Sequence, residues 1–205
     1  MSKDIVIISN RLTTIYSEPL NDAQRLLYSN AIFFNNEGKS ISRLESLELW
    51  FKDLESFIQK AKSKIQSGDL GKIIACHATC WLFKPNSYFN SWRKSLGGGP
   101  LLINLVHDID LMRYLIGEID SVQSFESNSV RGGDTEDTAV ALLKFQNGSL
   151  GTLSVSDTII SPWSWELTSK ENPIYPYNKQ TCYWIGGTHA SLELPQSKIW
   201  KSVDK

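Results

Sequence analysis

Two alternating runs of residues joined by Asn147-Gly148 constrain the fold of this chain more than any other feature. Residues 138–145 and 149–156 each alternate apolar with small or polar side chains, as strands with one buried face do. Asn-Gly between such runs predicts a tight hairpin, because both residues tolerate the positive φ that the turn requires. The sequence therefore predicts antiparallel β structure in the second half of the chain.

Further strands and two helices are predicted around this hairpin. Apolar residues at three- and four-residue spacing predict a helix over 44–66, which Gly68 would end. A second helix is predicted over 100–116, because Pro100 suits a first helical position and Gly117 suits the position after the last. Strands are expected near residues 72–83, 121–130, 164–169, 181–185 and 190–194. The predicted fold class is α+β, with an open, predominantly antiparallel sheet and helices on one face.

The first 43 residues have a different character. They contain one predicted strand (4–9) and one predicted helix (20–30), which together bury too little surface to fold alone. We therefore divide the chain into residues 1–43, as an irregular extension or the remnant of another domain, and residues 44–205, as one α+β domain.

Composition narrows the function classes. The chain of 205 residues has 21 Lys and Arg against 22 Asp and Glu, which argues against a nucleic-acid partner. No stretch approaches the ~20 apolar residues that span a bilayer, and no signal-peptide pattern is found, so we expect a cytoplasmic protein without a membrane partner. Three cysteines without framework spacing also suit a reducing compartment.

The helix that follows the triple glycine 97–99 is the best candidate for a site. Asn104, His107 and Asp108 fall within one arc of this helix, above a glycine loop that lets a ligand approach the backbone. A histidine in that position suits a general acid or base, or a substrate clamp. An alternative interpretation is that His107 and Asp108 only hydrogen-bond structural backbone and that the glycines form an ordinary loop.

Aromatic residues crowd the loop before the glycines, and Trp92 is one of them. Aromatic side chains at the rim of a sheet stack on sugar rings or on cofactors, but they also serve as core or interface residues. Trp92, Gly98 and Asp108 are the predicted substrate contacts, beside His107 and Asn104 as the predicted catalytic pair.

Other motifs in the chain are weaker. The triple glycine is not a dinucleotide fingerprint, because G-x-G-x-x-G belongs between a strand and a helix of a βαβ unit. Cys76, His77 and Cys80 form C-H-x-x-C, which lacks a fourth ligand, and on a strand the histidine would point away from both thiols. We therefore predict no cofactor-binding or metal-ligating residues.

A set of sequential motifs resembles the C-terminal domain of the Gfo/Idh/MocA family of NAD(P)-dependent oxidoreductases. The motifs are S-G-D-L-G-K-I at 67–73, G-G-G-P-L-L-I-N-L-V-H-D-I-D-L-M-R-Y-L-I-G at 97–117, E-D-T-A at 136–139 and F-x-N-G-x-L-G-T at 145–152. The resemblance covers roughly residues 55–200. It implies sugar, polyol or similar small hydroxy substrates, NAD or NADP as cofactor, and an open sheet whose exposed face commonly forms a dimer interface.

The resemblance also assigns roles to residues. His107 matches the family's active-site histidine, whereas Ile103 stands where the family often has an aspartate. If 4–9 is the strand before the family's E-K-P motif, Glu18 replaces its catalytic lysine. The chain shows no complete Rossmann domain, so residues 1–43 would be a degenerate remnant of the nucleotide-binding domain and 44–205 the substrate and dimerisation domain.

Two functional hypotheses follow from this comparison. In the first, the chain is a truncated member of the oxidoreductase family, inactive alone, because a phosphate-binding loop and a lysine for proton transfer are not found. In the second, it is a non-catalytic interaction module that pairs through its sheet face with itself or with a full-length relative.

Overall fold

The computed structural model describes residues 33–34, 40–41, 57–89, 91–95, 97–170 and 174–202. The chain divides into two units, Met1–Ser56 and Phe57–Lys205. In the first unit, strand β1 (Phe33–Phe34) pairs antiparallel with β2 (Ser40–Ile41). The predicted strand 4–9, the predicted helix 20–30 and Glu18 lie outside the described residues. The boundary at residues 43 and 44 stays a prediction.

The second unit is built on a seven-stranded sheet in the order β4-β5-β6-β3-β7-β8-β9. Its strands are β3 (Ile73–Trp81), β4 (Ile119–Ser127), β5 (Thr138–Phe145), β6 (Leu150–Ser156), β7 (Tyr183–Gly187), β8 (Ala190–Leu194) and β9 (Lys198–Lys201). Neighbouring strands are antiparallel except β3 and β6, which run parallel at the centre. The predicted α+β class with an open, mostly antiparallel sheet is confirmed.

The predicted hairpin joins β5 to β6. Gly148 has φ +85° in its turn, and Leu142 lies opposite Thr152 in the antiparallel ladder. Asn147 supports the turn, because its Oδ1 accepts hydrogen bonds from the backbone N–H and the hydroxyl of Ser149. The pairing of β5 with β6 therefore confirms the hairpin that Asn147-Gly148 predicts.

Helices pack on one face of this sheet. The described part of helix α1 covers residues 57–66 and buries Ile58 and Ala61, while residues 44–56 of the predicted helix lie outside the description. Helix α2 (Val106–Ile116) buries Met112 and Ile116, whereas Ile109, the third apolar residue predicted to face inward on it, is half-buried. Within the described part of the chain, no helix has the length and apolar character that a bilayer crossing requires.

One predicted strand is wrong. Residues 164–169 contain a short helix, α3 (Trp165–Thr168), instead of a strand. Ser164 caps this helix, since its Oγ accepts the backbone N–H of Leu167 at 3.3 Å. Trp165 is buried and stacks on Tyr183 of β7, with ring centroids 5.1 Å apart. The tertiary stack thus stabilises a helical turn over residues that were predicted to form a strand.

Candidate functional site

The helix after the triple glycine begins with a wide turn. Leu101–Leu105 form a π-helical turn, in which the N–H of Val106 reaches the carbonyl of Leu101, and regular α2 follows. The predicted helix over 100–116 is thus confirmed in extent, but its first turn is wider than predicted. Such π-turns inside helices are frequent at functional sites, because they re-aim the side chains that follow.

A carboxylate holds the start of this helix. Glu136 Oε1 accepts the backbone N–H of Leu101 at 2.9 Å, so one of the unsatisfied donors at the helix start has a partner. A Cβ on Gly99 would meet the carboxyl group of Glu136, so only glycine fits there without displacing it. The glycine loop and the E-D-T-A motif are therefore one structural unit, although 35 residues separate Leu101 from Glu136.

The two predicted catalytic residues lie at the start of the helix. Asn104 is in the π-turn and His107 is the second residue of α2, and both residues are less than a tenth exposed. Ile103, which stands at the position of the family's aspartate, is buried beside Asn104. The structure thus places the amide of Asn104 and the imidazole of His107 at one end of the helix. Ile103 supplies no carboxylate beside them.

Asp108 points into the protein. It is 3% exposed, and its Oδ1 accepts a hydrogen bond from the hydroxyl of Tyr183 on β7. Burial, followed by the charge of Asp108, raises the pKa of the Tyr183 phenol well above its usual range, so the phenol keeps the proton that it donates. The same two causes raise the pKa of the buried Cys80 thiol. Asp108 therefore ties α2 to the sheet, and its predicted substrate contact stays a prediction.

The other two predicted substrate contacts lie in the loop before the helix. Gly98 is buried, and its N–H donates to the carbonyl of Ser95 at 2.8 Å. Trp92 belongs to a short 3-10 turn, Ser91–Lys94, and its side chain lies outside the description. The structure thus places Gly98 one residue before the Gly99–Glu136 contact, and it does not test the role of Trp92.

Sequence reasoning missed Asp110 as a site residue. Its side chain is 5% exposed and lies 3.5 Å from Arg113 Nη1, and neither carboxylate oxygen accepts a hydrogen bond from the described residues. Burial, with a smaller contribution from Glu118, raises the pKa of Asp110 to about 6. The H-x-x-D spacing from His107 was the signal that could have drawn attention to it.

Sequence reasoning also missed a cluster of cations and aromatic rings beyond the end of β3. Lys84 Nζ lies 4.8 Å from the ring centroid of Tyr88, and the guanidinium of Arg93 lies 4.2 Å from the same centroid. Arg131 lies 3.5 Å from the ring centroid of Phe89 and pairs with Asp157 at 2.9 Å. Lys84, Tyr88, Phe89 and Arg93 lie within ten residues of one another, whereas Arg131 and Asp157 come from distant parts of the chain, so no spacing pattern could have added them to the cluster.

The opposite face of the sheet carries a row of side chains from several strands. Leu142, Thr152, His77, Trp184 and Glu193 lie side by side on β5, β6, β3, β7 and β8. His77 Nδ1 is 2.6 Å from the Thr152 hydroxyl, and its ring lies 5.4 Å from that of Trp184. A cleft of about 440 Å³ opens at this row. As predicted, His77 lies on the face opposite Cys76 and Cys80, which are buried beneath the sheet.

Among the described residues, the start of the helix after the glycine loop does not suit the phosphates of a dinucleotide. Dinucleotide phosphates bind at a helix N-terminus whose N–H groups are open and whose field favours anions. At the helix after the glycine loop, the carboxylate of Glu136 already accepts the N–H of Leu101 and would repel a phosphate. Within the part of the chain that the structure describes, no group of three His, Cys, Asp or Glu side chains could hold a metal ion either.

Comparison with known proteins shows which family this part of the chain matches. Residues 58–193 match the family described as the GFO/IDH/MocA C-terminal domain. Levoglucosan dehydrogenase of Pseudarthrobacter phenanthrenivorans is 30% identical over 125 residues, which are 47% of this chain and 32% of that protein.

Solved structures share the fold. The WlbA dehydrogenase of Bordetella pertussis, in complex with NADH and UDP-GlcNAcA, has a TM-score of 0.58 at 22% identity, covering 77% of this chain and 43% of its own. The WlbA dehydrogenase of Chromobacterium violaceum has a TM-score of 0.55 at 24% identity, with coverages of 70% and 39%. The chain therefore spans about a third to two fifths of the length of these relatives.

Proposed function

Because this chain belongs to the GFO/IDH/MocA family through its C-terminal domain, we propose that it forms the substrate-binding half of an NAD(P)-dependent oxidoreductase for sugars, polyols or similar small hydroxy compounds. The observation that carries the proposal is the helix start held by Glu136, which presents Asn104 and His107 together. The relatives support the substrate class, since one is a levoglucosan dehydrogenase and others are solved with UDP-GlcNAcA.

His107 and Asn104 have complementary tasks in this proposal. An imidazole takes or returns the proton of a substrate hydroxyl near neutral pH. The amide of Asn104 both donates and accepts hydrogen bonds, which suits a neighbouring hydroxyl of a sugar. Their low exposure keeps water from competing for the same atoms, so a bound hydroxyl would have defined partners.

We propose further that the chain does not transfer hydride by itself. The sequence contains no G-x-G-x-x-G loop that would hold the phosphates of a dinucleotide. Ile103 supplies no carboxylate beside His107, and Glu18 would carry a negative charge where the family's lysine carries a positive one. A cofactor held within reach of the substrate is a condition of hydride transfer.

Two titrations of the 205-residue chain test this function. Fluorescence titration with NADH and NADPH should show no binding tighter than ~100 µM, a Kd that corresponds to about −5.5 kcal/mol. Titration of the ¹⁵N-labelled chain with levoglucosan, D-glucose and myo-inositol should shift the amide signals of the helix start around Asn104. His107→Gln should weaken that binding several-fold.

The control for this test is the same substitution at another histidine. His189 lies in the turn between β7 and β8, so His189→Gln should leave sugar binding unchanged. Equal binding by His107→Gln and the wild type would contradict the assigned role of His107. Tight NADH binding would contradict the proposal that the chain is inactive alone.

A second candidate function rests on the outer face of the sheet. Its side chains are apolar and exposed on several strands, and the most prominent are Val140, Leu142, Leu150, Trp184 and Trp200. Contiguous apolar patches of this kind mark interfaces more often than solvated surface. We propose that this face pairs with a second copy of the chain or with a full-length relative. Light scattering of the chain alone and with such a relative tests this, and strictly monomeric chain in both would contradict it.

A further inference from the structure

Lys84 is a buried cation at a fixed position beyond the end of β3. Only 6% of the residue is exposed. Its backbone extends the ladder between β3 and β6, because Leu82 donates to the Ser156 carbonyl at 2.9 Å and Lys84 to the Asp157 carbonyl at 2.8 Å. Arg131 Nη2 donates to the Lys84 carbonyl at 2.9 Å. These hydrogen bonds therefore fix the backbone from which the Lys84 side chain extends.

Among the described residues, tyrosines rather than acids surround the ammonium group of Lys84. Nζ donates to the hydroxyl of Tyr175 at 2.6 Å and lies 4.8 and 5.0 Å from the ring centroids of Tyr88 and Tyr175. We call these three residues the Lys84 cage. No carboxylate in the described part of the chain pairs with Lys84. An ammonium has three N–H donors, and one phenol oxygen satisfies only one of them.

Among the described residues, none of the neighbours of the cage supplies a carboxylate to Lys84. The nearby carboxylate of Asp157 is engaged by Arg131 at 2.9 Å. Burial raises the pKa of Tyr88 to about 12, so its phenol stays neutral. Arg93 lies over the same ring. Buried charges are ordinarily paired, whereas the ammonium group of Lys84 has no carboxylate partner among the described residues.

A chain of hydrogen bonds connects the cage to the candidate site. Asp137 Oδ2 accepts the backbone N–H groups of Val130 and Arg131 at 2.9 and 3.0 Å. The adjacent Glu136 accepts the N–H of Leu101 at the helix start. Since Arg131 also holds the Lys84 carbonyl, the cage and the glycine loop lie at the same end of the sheet.

We propose that the Lys84 cage binds an anionic substituent, a carboxylate or a phosphate, of the sugar that occupies the candidate site. The sugar part rests on the proposed function. A bound anion accepts charge-assisted hydrogen bonds from the remaining N–H donors of Lys84, and these are about twice as strong as neutral ones. It also offsets the positive charge of Lys84. The substrate class is then an acidic or phosphorylated sugar rather than a neutral polyol.

Calorimetric titration of the 205-residue chain with three probes at equal ionic strength tests this proposal. The probes are D-glucuronate, D-glucose 6-phosphate and D-glucose, which distinguish a carboxylate, a phosphate and a neutral sugar. We expect at least one of the anions to bind about tenfold more tightly than glucose, which corresponds to about 1.4 kcal/mol. Lys84→Met should abolish this preference, and Lys84→Arg should retain most of it.

The matched control is Lys170→Met. Lys170 is an exposed lysine that lies 4.3 Å from the ring centroid of Tyr177, so the same substitution removes an equivalent cation–ring contact elsewhere. It should leave the anion preference unchanged. Lys84→Met should fold, because replacing an unpaired buried charge by an apolar chain of similar length is not costly. If it does not fold, the comparison of the three probes on the wild type still decides.

The outcomes separate this inference from the proposed function. Equal affinity for glucose and both anions, or an anion preference that survives Lys84→Met, overturns the cage proposal and leaves the neutral-sugar function intact. A preference for anions that Lys84→Met abolishes, combined with binding that His107→Gln does not change, supports the cage and contradicts the assigned role of His107. Absence of binding by all three probes overturns both.

Discussion

At the scale of single residues, the carboxyl group of Asp110 leads to a prediction about how the stability of the chain depends on pH. Its buried carboxyl has a pKa of about 6 in the folded chain, raised mainly by burial, against 3.8 for a free aspartate. Between these values the folded chain holds a proton that the unfolded chain has released. The free energy of unfolding therefore falls as the pH rises from about 4 to 6, by up to about 1.4 kcal/mol per pH unit.

Asp110→Asn should remove this pH dependence. The amide is neutral throughout, so the variant should be more stable than the wild type at pH 7 and should show a flatter profile between pH 4 and 6. Urea denaturation at several pH values across this range measures the difference. Asp120→Asn is the control, because Asp120 is half exposed and pairs with Lys144 at the surface. An unchanged slope in Asp110→Asn would refute the raised pKa.

At the scale of elements, the sequence predicted structure wherever the signal was local. The hairpin followed from Asn147-Gly148, and β3, β5 and β8 agree closely with the predicted strands. The strand predicted over 164–169 was wrong because the Ser164 cap and the Trp165–Tyr183 stack stabilise a helical turn there. β9 was missed because its residues are mostly exposed and its pairing with β8 supplies the structure.

The π-turn could not be read from its own residues, because Glu136 holds the start of the helix from another part of the chain. Because the helix start depends on Glu136, the effects of substitutions at Gly99 and at Glu136 on stability should not be additive. Gly99→Ala places a methyl group against the Glu136 carboxyl, which must move away and release the N–H of Leu101. The expected loss is about 1 kcal/mol, the usual contribution of such a cap.

Glu136→Ala should cost a similar amount, since it removes the same hydrogen bond. In that background the methyl group that Gly99→Ala introduces has room, so the double variant should be no less stable than Glu136→Ala alone. Thermal or urea unfolding of the four proteins gives the coupling energy. Strictly additive losses would show that Gly99 and Glu136 act independently.

At the scale of the whole second unit, the sequence predicted the helix that carries Asn104 and His107. It did not predict the side chains that other parts of the chain bring near that helix. Asn104 and His107 were predicted because one helix carries both. Lys84 and Tyr175 are 91 residues apart and meet only through the sheet, so no motif contains them. The outer row of side chains was equally hidden, since its register depends on how seven strands pair.

The last prediction concerns association of the chain through this outer row of side chains. Seven strands ~4.8 Å apart, with a rise of ~3.3 Å per residue, form a face about 30 Å wide and about 20 Å long, which is comparable with the ~800 Å² per partner of a stable interface. Leu142 is 56% exposed and Trp184 is 37% exposed on this face. Leu142→Glu or Trp184→Glu would bury an unpaired charge in a paired face, so each should weaken association at least about tenfold.

Light scattering over a dilution series measures this association, with Ile160→Glu as the control. Ile160 is 83% exposed but lies in the loop after β6, outside the sheet face, so a charge there should leave the oligomeric state unchanged. Melting temperatures taken on the same samples separate lost pairing from lost folding. If both face variants associate as the wild type does, the apolar row is not the interface. If all three dissociate, the effect follows from added charge and not from the face.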